Sequence, residues 1–113
     1  MAARCVPHVR LLDVILHCVT FTFAEDTTPE QVEAVTLALA RLPAQIPSLL
    51  RYVHGPDLRL RDGTGDYAVA AWVADAEGLA AYLDHPAHVS TVGTVVAPLI
   101  ASRQAVQIAV AGV

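Results

Sequence analysis

Four side chains that can accept or donate a proton stand out in the sequence. Tyr82 is followed closely by His85 and His88, and His17 lies in an earlier apolar segment. A neutral imidazole, with an ordinary pKa of about 6.5, can take up a proton near neutral pH without unusual tuning. A tyrosine hydroxyl can donate a hydrogen bond to a developing enolate oxygen. These residue types suit the removal of an acidic proton from carbon, with His88 as the first candidate for the base and Tyr82 for the donor.

Each of these residues also has a structural interpretation. Pro86 fits the beginning of a helix, so His88 would lie in its first turn and could cap or pack it. Tyr82 could anchor a helix end in the core, and His17, among apolar neighbours, could be a hydrogen-bonded core residue. The residue types by themselves leave the structural and the chemical interpretations open.

Other kinds of chemistry are disfavoured by the motifs. His85 and His88 form a His-x-x-His pair, but Pro86 interrupts the helix between them and no carboxylate accompanies them, so we expect no metal site. The sequence has no GxGxxG, P-loop, GxSxG or CxxC motif. Cys5 and Cys18 make no disulfide framework, which is typical of a reduced, cytoplasmic protein.

The composition indicates a chain that must bury an unusual share of apolar surface. Hydrophobic residues make up 55% of the 113 and charged residues only 16%, against roughly 45–50% and 25% in soluble domains. The apolar stretches 14–19 and 68–74 are far shorter than the ~20 residues of a membrane span, and residues 1–12 lack an apolar core of signal-peptide length. We therefore expect no membrane contact, and we expect a second copy of the chain to bury the remaining apolar surface.

The charge pattern argues against nucleic acid as a partner. The formal net charge is −4, and the seven basic residues are all arginines scattered along the chain. Nucleic-acid binding requires a basic patch that neutralises phosphates. We therefore expect no nucleic-acid partner.

Periodicity and turn residues predict a β-α-β-β-α-α-β order. Thr28 and Gln31 form a capping-box pattern, with Pro29 at the first helical position. Gly55 and Pro56 are expected to end or bend the second strand. The predicted strands are 14–23, 49–54, 66–74 and 104–110, and the predicted helices begin at Pro29, cover 76–83, and run from Pro86 to about Ile100.

This order is that of a ferredoxin-like α+β domain. It predicts a four-stranded antiparallel sheet with helices on one face only. The first strand is apolar on both faces for part of its length, so the opposite face of the sheet should not meet water. Pairing of two such faces predicts a homodimer, with Trp72, which points away from Tyr67, in the interface.

Three stretches of the sequence together resemble a known family. They are His17-Cys18-Val19-Thr20-Phe21, Asp66-Tyr67-Ala68 and Tyr82-Leu83-Asp84-His85-Pro86-Ala87-His88-Val89. This combination resembles the stress-responsive dimeric α/β-barrel (Dabb) family over residues 14–110. The predicted domain is then 13–113, and residues 1–12 form an N-terminal extension outside the pattern.

The resemblance implies a dimeric α/β barrel in which each monomer has a pocket between its sheet and its helices. It implies a cofactor-independent activity like that of polyketide cyclases of the olivetolic acid cyclase type, an intramolecular aldol condensation of a poly-β-keto substrate. Tyr82 and His88 match the catalytic residues of that group, and the ligand would be an apolar, polyketide-like small molecule. The substrate-binding positions that the resemblance implies are His17, Val19, Phe21, Leu39, Tyr67, Val69 and Leu99.

Two other functions use the same fold and stay open. A non-catalytic, stress-responsive dimer would bind a small molecule in the same pocket without chemistry. A cofactor-free oxygenase or isomerase of the dimeric barrel group would use the pocket for a different reaction. Fold alone does not separate these functions, because function depends on the site. A cavity of roughly a few hundred Å³ that reaches His88 would favour a substrate.

Overall fold

The computed structural model describes residues 13–111, which form one sheet and a layer of helices. The strands are β1 (Val14–Phe23), β2 (Arg51–Pro56), β3 (Tyr67–Val73) and β4 (Ile100–Val110). The helices are α1 (Pro29–Ala40), α2 (Leu42–Gln45), α3 (Ala76–Leu83) and α4 (Pro86–Thr91). After α4 the chain continues through a π-helical segment (Val92–Val96) and a 3-10 turn (Ala97–Leu99) directly into β4.

The sheet has the strand order β2-β3-β1-β4, and every neighbouring pair is antiparallel. This is the ferredoxin-like arrangement, so the predicted fold class is confirmed. No helix within residues 13–111 is long and apolar enough to cross a membrane.

Local capping explains where the helices begin. Thr28 Oγ1 accepts a hydrogen bond from the Gln31 backbone N–H at 3.2 Å, and Gln31 Oε1 accepts one from the Thr28 N–H at 2.8 Å. This reciprocal pair is the capping box expected from the sequence. Asp75 caps α3 through the Gly78 N–H, and His85 caps α4 through the Ala87 N–H.

Three predicted boundaries were wrong. Strand β4 begins at Ile100 rather than Gln104, because its long partner β1 supplies a hydrogen-bonding ladder as far as Phe23. The helix predicted up to Ile100 ends at Leu99 and is α-helical only as far as Thr91. Strand β2 runs 51–56 rather than 49–54 and includes Pro56, which is tolerated because β2 is an edge strand.

The two faces of the sheet have different environments. The face toward the helices carries the buried residues of β1 and β3, and with side chains of α1, α3 and the π-helical segment they form the core. The opposite face, called here the open face, is not covered by any helix or strand of residues 13–111. Its central cross-strand row consists of Val53, Ala70, Cys18 and Val106, and the next row consists of Arg51, Trp72, Leu16 and Ile108.

The connection between β2 and β3 is held by charged side chains. Arg59 has a positive φ of 58° and forms ion pairs with both Asp57 and Asp66. Thr64 donates a hydrogen bond to the Asp57 carboxylate at 2.8 Å, and Asp66 accepts one from the Phe23 N–H at 2.8 Å. These contacts fix the loop against the end of β1.

Candidate active site

A cavity of about 260 Å³ lies between the helix-facing side of the sheet and the helical layer. Its wall is mostly apolar, but imidazole, phenol and guanidinium groups also contribute to it. The lining residues are His17, Val19, Phe21, Leu39, Tyr52, Val69, Tyr82, Leu83, His88, Val92, Val96, Ala97, Ile100 and Arg103. The π-helical segment contributes Val92 and Val96, and such local irregularities of a helix are frequent at functional sites.

His88 and Tyr82 meet at this cavity. Tyr82 lies in the last turn of α3 and His88 in the first turn of α4, and the sharp connection between the two helices brings their ring centroids to 4.6 Å. His88 Nδ1 lies 3.1 Å from the Leu83 carbonyl oxygen. A carbonyl can only accept, so Nδ1 carries the proton and Nε2 of the neutral ring is an unprotonated acceptor. Nε2 makes no hydrogen bond with any residue in the described range.

The environment keeps His88 neutral. Burial lowers the pKa of His88 below its ordinary value of 6.5, and the positive charge of Arg103 lowers it further. The hydrogen bond to the Leu83 carbonyl and the charge of Asp84 act in the opposite direction without reversing the shift. The base form of the imidazole is therefore the main form at neutral pH.

His17 carries its proton on the opposite nitrogen. It is buried in the middle of β1, and its Nδ1 accepts a hydrogen bond of 2.7 Å from the side-chain amide of Gln107 on β4. Nε2 of the neutral ring must then bear the hydrogen. Burial lowers the pKa of His17, with contributions from Arg103 and His88. His17 is therefore a neutral donor where His88 is a neutral acceptor.

Two phenols complete the polar part of the wall. The rings of Tyr52 and Tyr82 are edge to face, with centroids 6.1 Å apart. Burial raises the pKa of both hydroxyls, so both stay protonated at neutral pH. The Tyr52 and Tyr82 hydroxyls also approach each other, and this contact raises the pKa of Tyr52 and lowers that of Tyr82. The contact falls outside good hydrogen-bond geometry, so the buried Tyr52 hydroxyl has no well-formed hydrogen bond with any residue in the described part of the chain.

Most of the residues singled out from the sequence lie together in this cavity. Seven of them line it: His17, Val19, Phe21, Leu39, Val69, Tyr82 and His88. Tyr67 does not, because its hydroxyl is engaged 2.9 Å from both His54 Nδ1 and Thr36 Oγ1. Leu99 does not either, because it lies in the turn before β4, where its side chain packs against the core. Neither residue lines this cavity, and their role in substrate binding stays a prediction.

Three residues of this site were missed from the sequence. Tyr52 on β2 and Gln107 on β4 belong to the same cross-strand row as His17, and Arg103 on β4 is paired with Phe21. The strand register could have identified these three residues, because residues directly opposite each other in an antiparallel pair lie on the same face of the sheet.

His85 and His88 each use Nδ1 for a local hydrogen bond. The Nδ1 atom of His85 accepts the hydrogen bond that caps α4, and that of His88 is bonded to the Leu83 carbonyl. Across residues 13–111, no three His, Cys, Asp or Glu side chains are grouped so that they could hold a metal ion.

The fold is that of a ferredoxin-like α+β protein, with a cavity under its helices that histidine and tyrosine side chains help to line. Residues 15–110 match the model of the stress responsive A/B barrel domain, Dabb, and the chain belongs to this family. The resemblance inferred from the sequence is thereby confirmed at the level of the family. A search of curated protein sequences gives no match.

Solved structures of similar fold include one with substantial sequence identity. A dimeric ferredoxin-like protein of unknown function from Thermobifida fusca is 43% identical, with a TM-score of 0.81 over 87% of this chain and 92% of the other. The hydroxynitrile lyase of Passiflora edulis is 12% identical, with a TM-score of 0.76 over 88% and 94% of the two chains. The cofactor-independent oxygenase SnoaB of Streptomyces nogalater is 21% identical, with a TM-score of 0.67 over 89% and 96%. At these low identities, the last two show likeness of fold alone.

Proposed function

We propose that the protein is a cofactor-independent enzyme that removes a proton from an activated carbon, and that it cyclises a poly-β-keto substrate by an intramolecular aldol condensation. The observation that supports this most is the state of His88. The Leu83 carbonyl fixes the tautomer of its ring, and Nε2 is left as an acceptor at an apolar cavity beside the Tyr82 phenol.

The reaction begins with proton transfer. A C–H between two carbonyls gives its proton to His88 Nε2, and the electron pair moves onto the adjacent oxygen as an enolate. The Tyr82 hydroxyl and the Nε2–H of His17 are the donors at the cavity for this oxygen, and donors that are already oriented need no reorganisation as charge develops. The removal of water by the apolar wall strengthens these hydrogen bonds.

Carbon–carbon bond formation follows. The enolate carbon attacks a second ketone of the same chain, the new bond forms, and the ketone π electrons become an alkoxide. The proton held on His88 returns to that alkoxide, which regenerates the neutral imidazole. The cavity contributes by holding nucleophile and ketone in contact, and such positioning can supply a large part of the rate.

A purely structural role for the two residues is less consistent with the geometry. In that case the pocket would be filled, and the polar atoms of Tyr82 and His88 would be satisfied by each other or by backbone. Only His88 Nδ1 is bonded to backbone, and a cavity of about 260 Å³ reaches both side chains. This volume is near the lower end of the range for small-molecule sites, which favours a short substrate.

The test is turnover of a linear trioxo ester, followed by liquid chromatography with mass detection. The products sought are the aldol alcohol and the aromatic ring that forms from it when the hydroxyl and the remaining α-proton leave as water and the ketones enolise. General-base catalysis contributes roughly 10²–10⁴-fold, so His88→Gln should lower kcat/KM by about that factor. His54→Gln is the matched control, because His54 lies outside the cavity and bonds to Tyr67. Equal activity of His88→Gln and wild type, in folded protein, would refute the mechanism.

We also propose that the chain works as a homodimer through the open face. Val53, Val106 and Ile108 leave between 47% and 55% of their surface exposed on that face, and similar solved structures are described as dimeric. Burial of this face against a second copy would remove apolar surface from water. Val106→Asp should yield a monomer in light scattering after size exclusion, whereas Leu37→Asp on the exposed side of α1 should remain dimeric. A dimer in both variants would place the interface elsewhere.

A further inference from the structure

One charged side chain of the cavity has no role in the proton transfers described above. Arg103 lies on β4 opposite Phe21, on the helix-facing side of the sheet, and it lines the cavity while remaining exposed to solvent. A residue that both lines the cavity and is exposed lies at the edge of the cavity that faces solvent. Val19, Phe21 and Ile100 belong to the apolar part of the same cavity wall.

The charge of Arg103 is not balanced at this site. The cavity wall contains no aspartate or glutamate, and within residues 13–111 the ion pairs are those of Arg59 with Asp57 and Asp66. The field of Arg103 also reaches His17 and His88, whose pKa values it lowers. A cation that faces an apolar cavity without a counter-ion is suited to bind an anionic group of a ligand.

We propose that Arg103 binds a carboxylate of the substrate, so that the enzyme acts on a free keto acid rather than on a neutral ketone or a thioester. This inference rests on the proposed function, because it names the substrate class of the same site. The carboxylate would lie at the open end, with the keto chain extending over Phe21 and Val69 toward His88 and Tyr82. Arg103 would then be a specificity-determining residue that sets the direction in which the chain enters.

A carboxylate fits this site better than a phosphate. The planar guanidinium matches the two oxygens of a carboxylate in a bidentate pair, and one arginine balances its single charge. A phosphate monoester has a charge of about −1.5 to −2 at neutral pH. Arg103 is the only lysine or arginine in the cavity wall formed by the described residues.

The test compares ligands that differ only in their head group. Hexanoate, hexanamide and hexyl phosphate are titrated into the full-length protein by isothermal calorimetry at pH 7, with wild type, Arg103→Gln and Arg61→Gln. Arg61 is an exposed loop arginine outside this cavity, so its variant has the same change in net charge. A hydrogen-bonded charge pair should make hexanoate bind about tenfold tighter than hexanamide in wild type and in Arg61→Gln. Arg103→Gln should bind the two equally.

Each contrary outcome overturns the inference. For the wild type, these outcomes are equal binding of hexanoate and hexanamide, binding of neither, or tighter binding of hexyl phosphate than of hexanoate. For the variants, they are a preference for hexanoate over hexanamide that survives in Arg103→Gln, or one that is lost equally in Arg61→Gln. Turnover of a linear trioxo compound, offered both as the free acid and as the neutral ester, separates this inference from the proposed function. If the preference for carboxylate is absent but turnover still depends on His88, only the proposed role of Arg103 is removed. If the preference depends on Arg103 but neither the trioxo acid nor the ester is turned over, only the enzyme mechanism is removed.

Discussion

Two buried tyrosines should respond in opposite ways to loss of their hydroxyl groups. Tyr52 has a buried hydroxyl without a hydrogen-bond partner among the described residues, whereas the Tyr67 hydroxyl lies 2.9 Å from both Thr36 Oγ1 and His54 Nδ1. A buried polar group without a partner costs about 1–3 kcal/mol. Tyr52→Phe removes that cost together with the poorly aligned contact to the Tyr82 hydroxyl, and it should raise the free energy of unfolding by about 1 kcal/mol. Tyr67→Phe breaks two hydrogen bonds and should lower it by about 1–3 kcal/mol.

The assay is equilibrium unfolding in urea at one fixed protein concentration, since dimerisation would couple stability to concentration. Ring packing is kept in both variants, so the difference reports the hydroxyl groups. If Tyr52 faces the cavity in order to contact substrate, the more stable Tyr52→Phe variant should also turn over the trioxo ester more slowly. A loss of stability in Tyr52→Phe comparable to that in Tyr67→Phe would show that the Tyr52 hydroxyl has a partner, and would refute this description of the cavity wall.

Two further predictions concern the histidines. Burial and the charge of Arg103 lower the pKa of His88, so its base form persists below pH 6.5. The value of kcat/KM should therefore be constant above pH 6.5 and fall only as the pH drops through the lowered pKa. Arg103→Gln removes a positive charge and should move this acid limb of the pH–rate profile to higher pH; an unchanged limb would argue against electrostatic coupling. Gln107→Leu removes the donor that fixes the His17 tautomer, so it should lower kcat by about tenfold with little change in KM. A change in KM alone would contradict the role of Gln107 in fixing this tautomer.

Local signals were sufficient for most of the fold. The capping box at Thr28 and Gln31 marked the beginning of α1, and alternation along β1 separated the buried face of His17 from the open face of Cys18. The boundaries of β2 and β4 depend on partner strands far away in sequence. Residues 100–103 have no strand-like alternation of their own, and they are extended because β1 is long enough to pair with them.

The pair of residues proposed for proton transfer was predicted because its spacing is local. Tyr82 and His88 are six residues apart, and the helix break at Pro86 brings them together. Gln107 is ninety positions from His17, and their contact follows only from the β1–β4 register. Arg103 fell just outside the strand predicted from Gln104, so its face was not assigned. The position of Tyr67 depends on partners in α1 and β2 that the sequence pattern did not connect to it.

The central claim is that His88 acts as a base on a carbon acid held in this cavity. A crystal structure of the protein with a bound 1,3-diketone that lacks a further ketone, and so cannot cyclise, tests it most directly. The carbon between the two carbonyls should lie about 3–3.5 Å from His88 Nε2, with one carbonyl oxygen about 2.7–3.1 Å from the Tyr82 hydroxyl. A diketone bound outside the cavity, or with its carbonyls turned away from His88 and Tyr82, would contradict the claim.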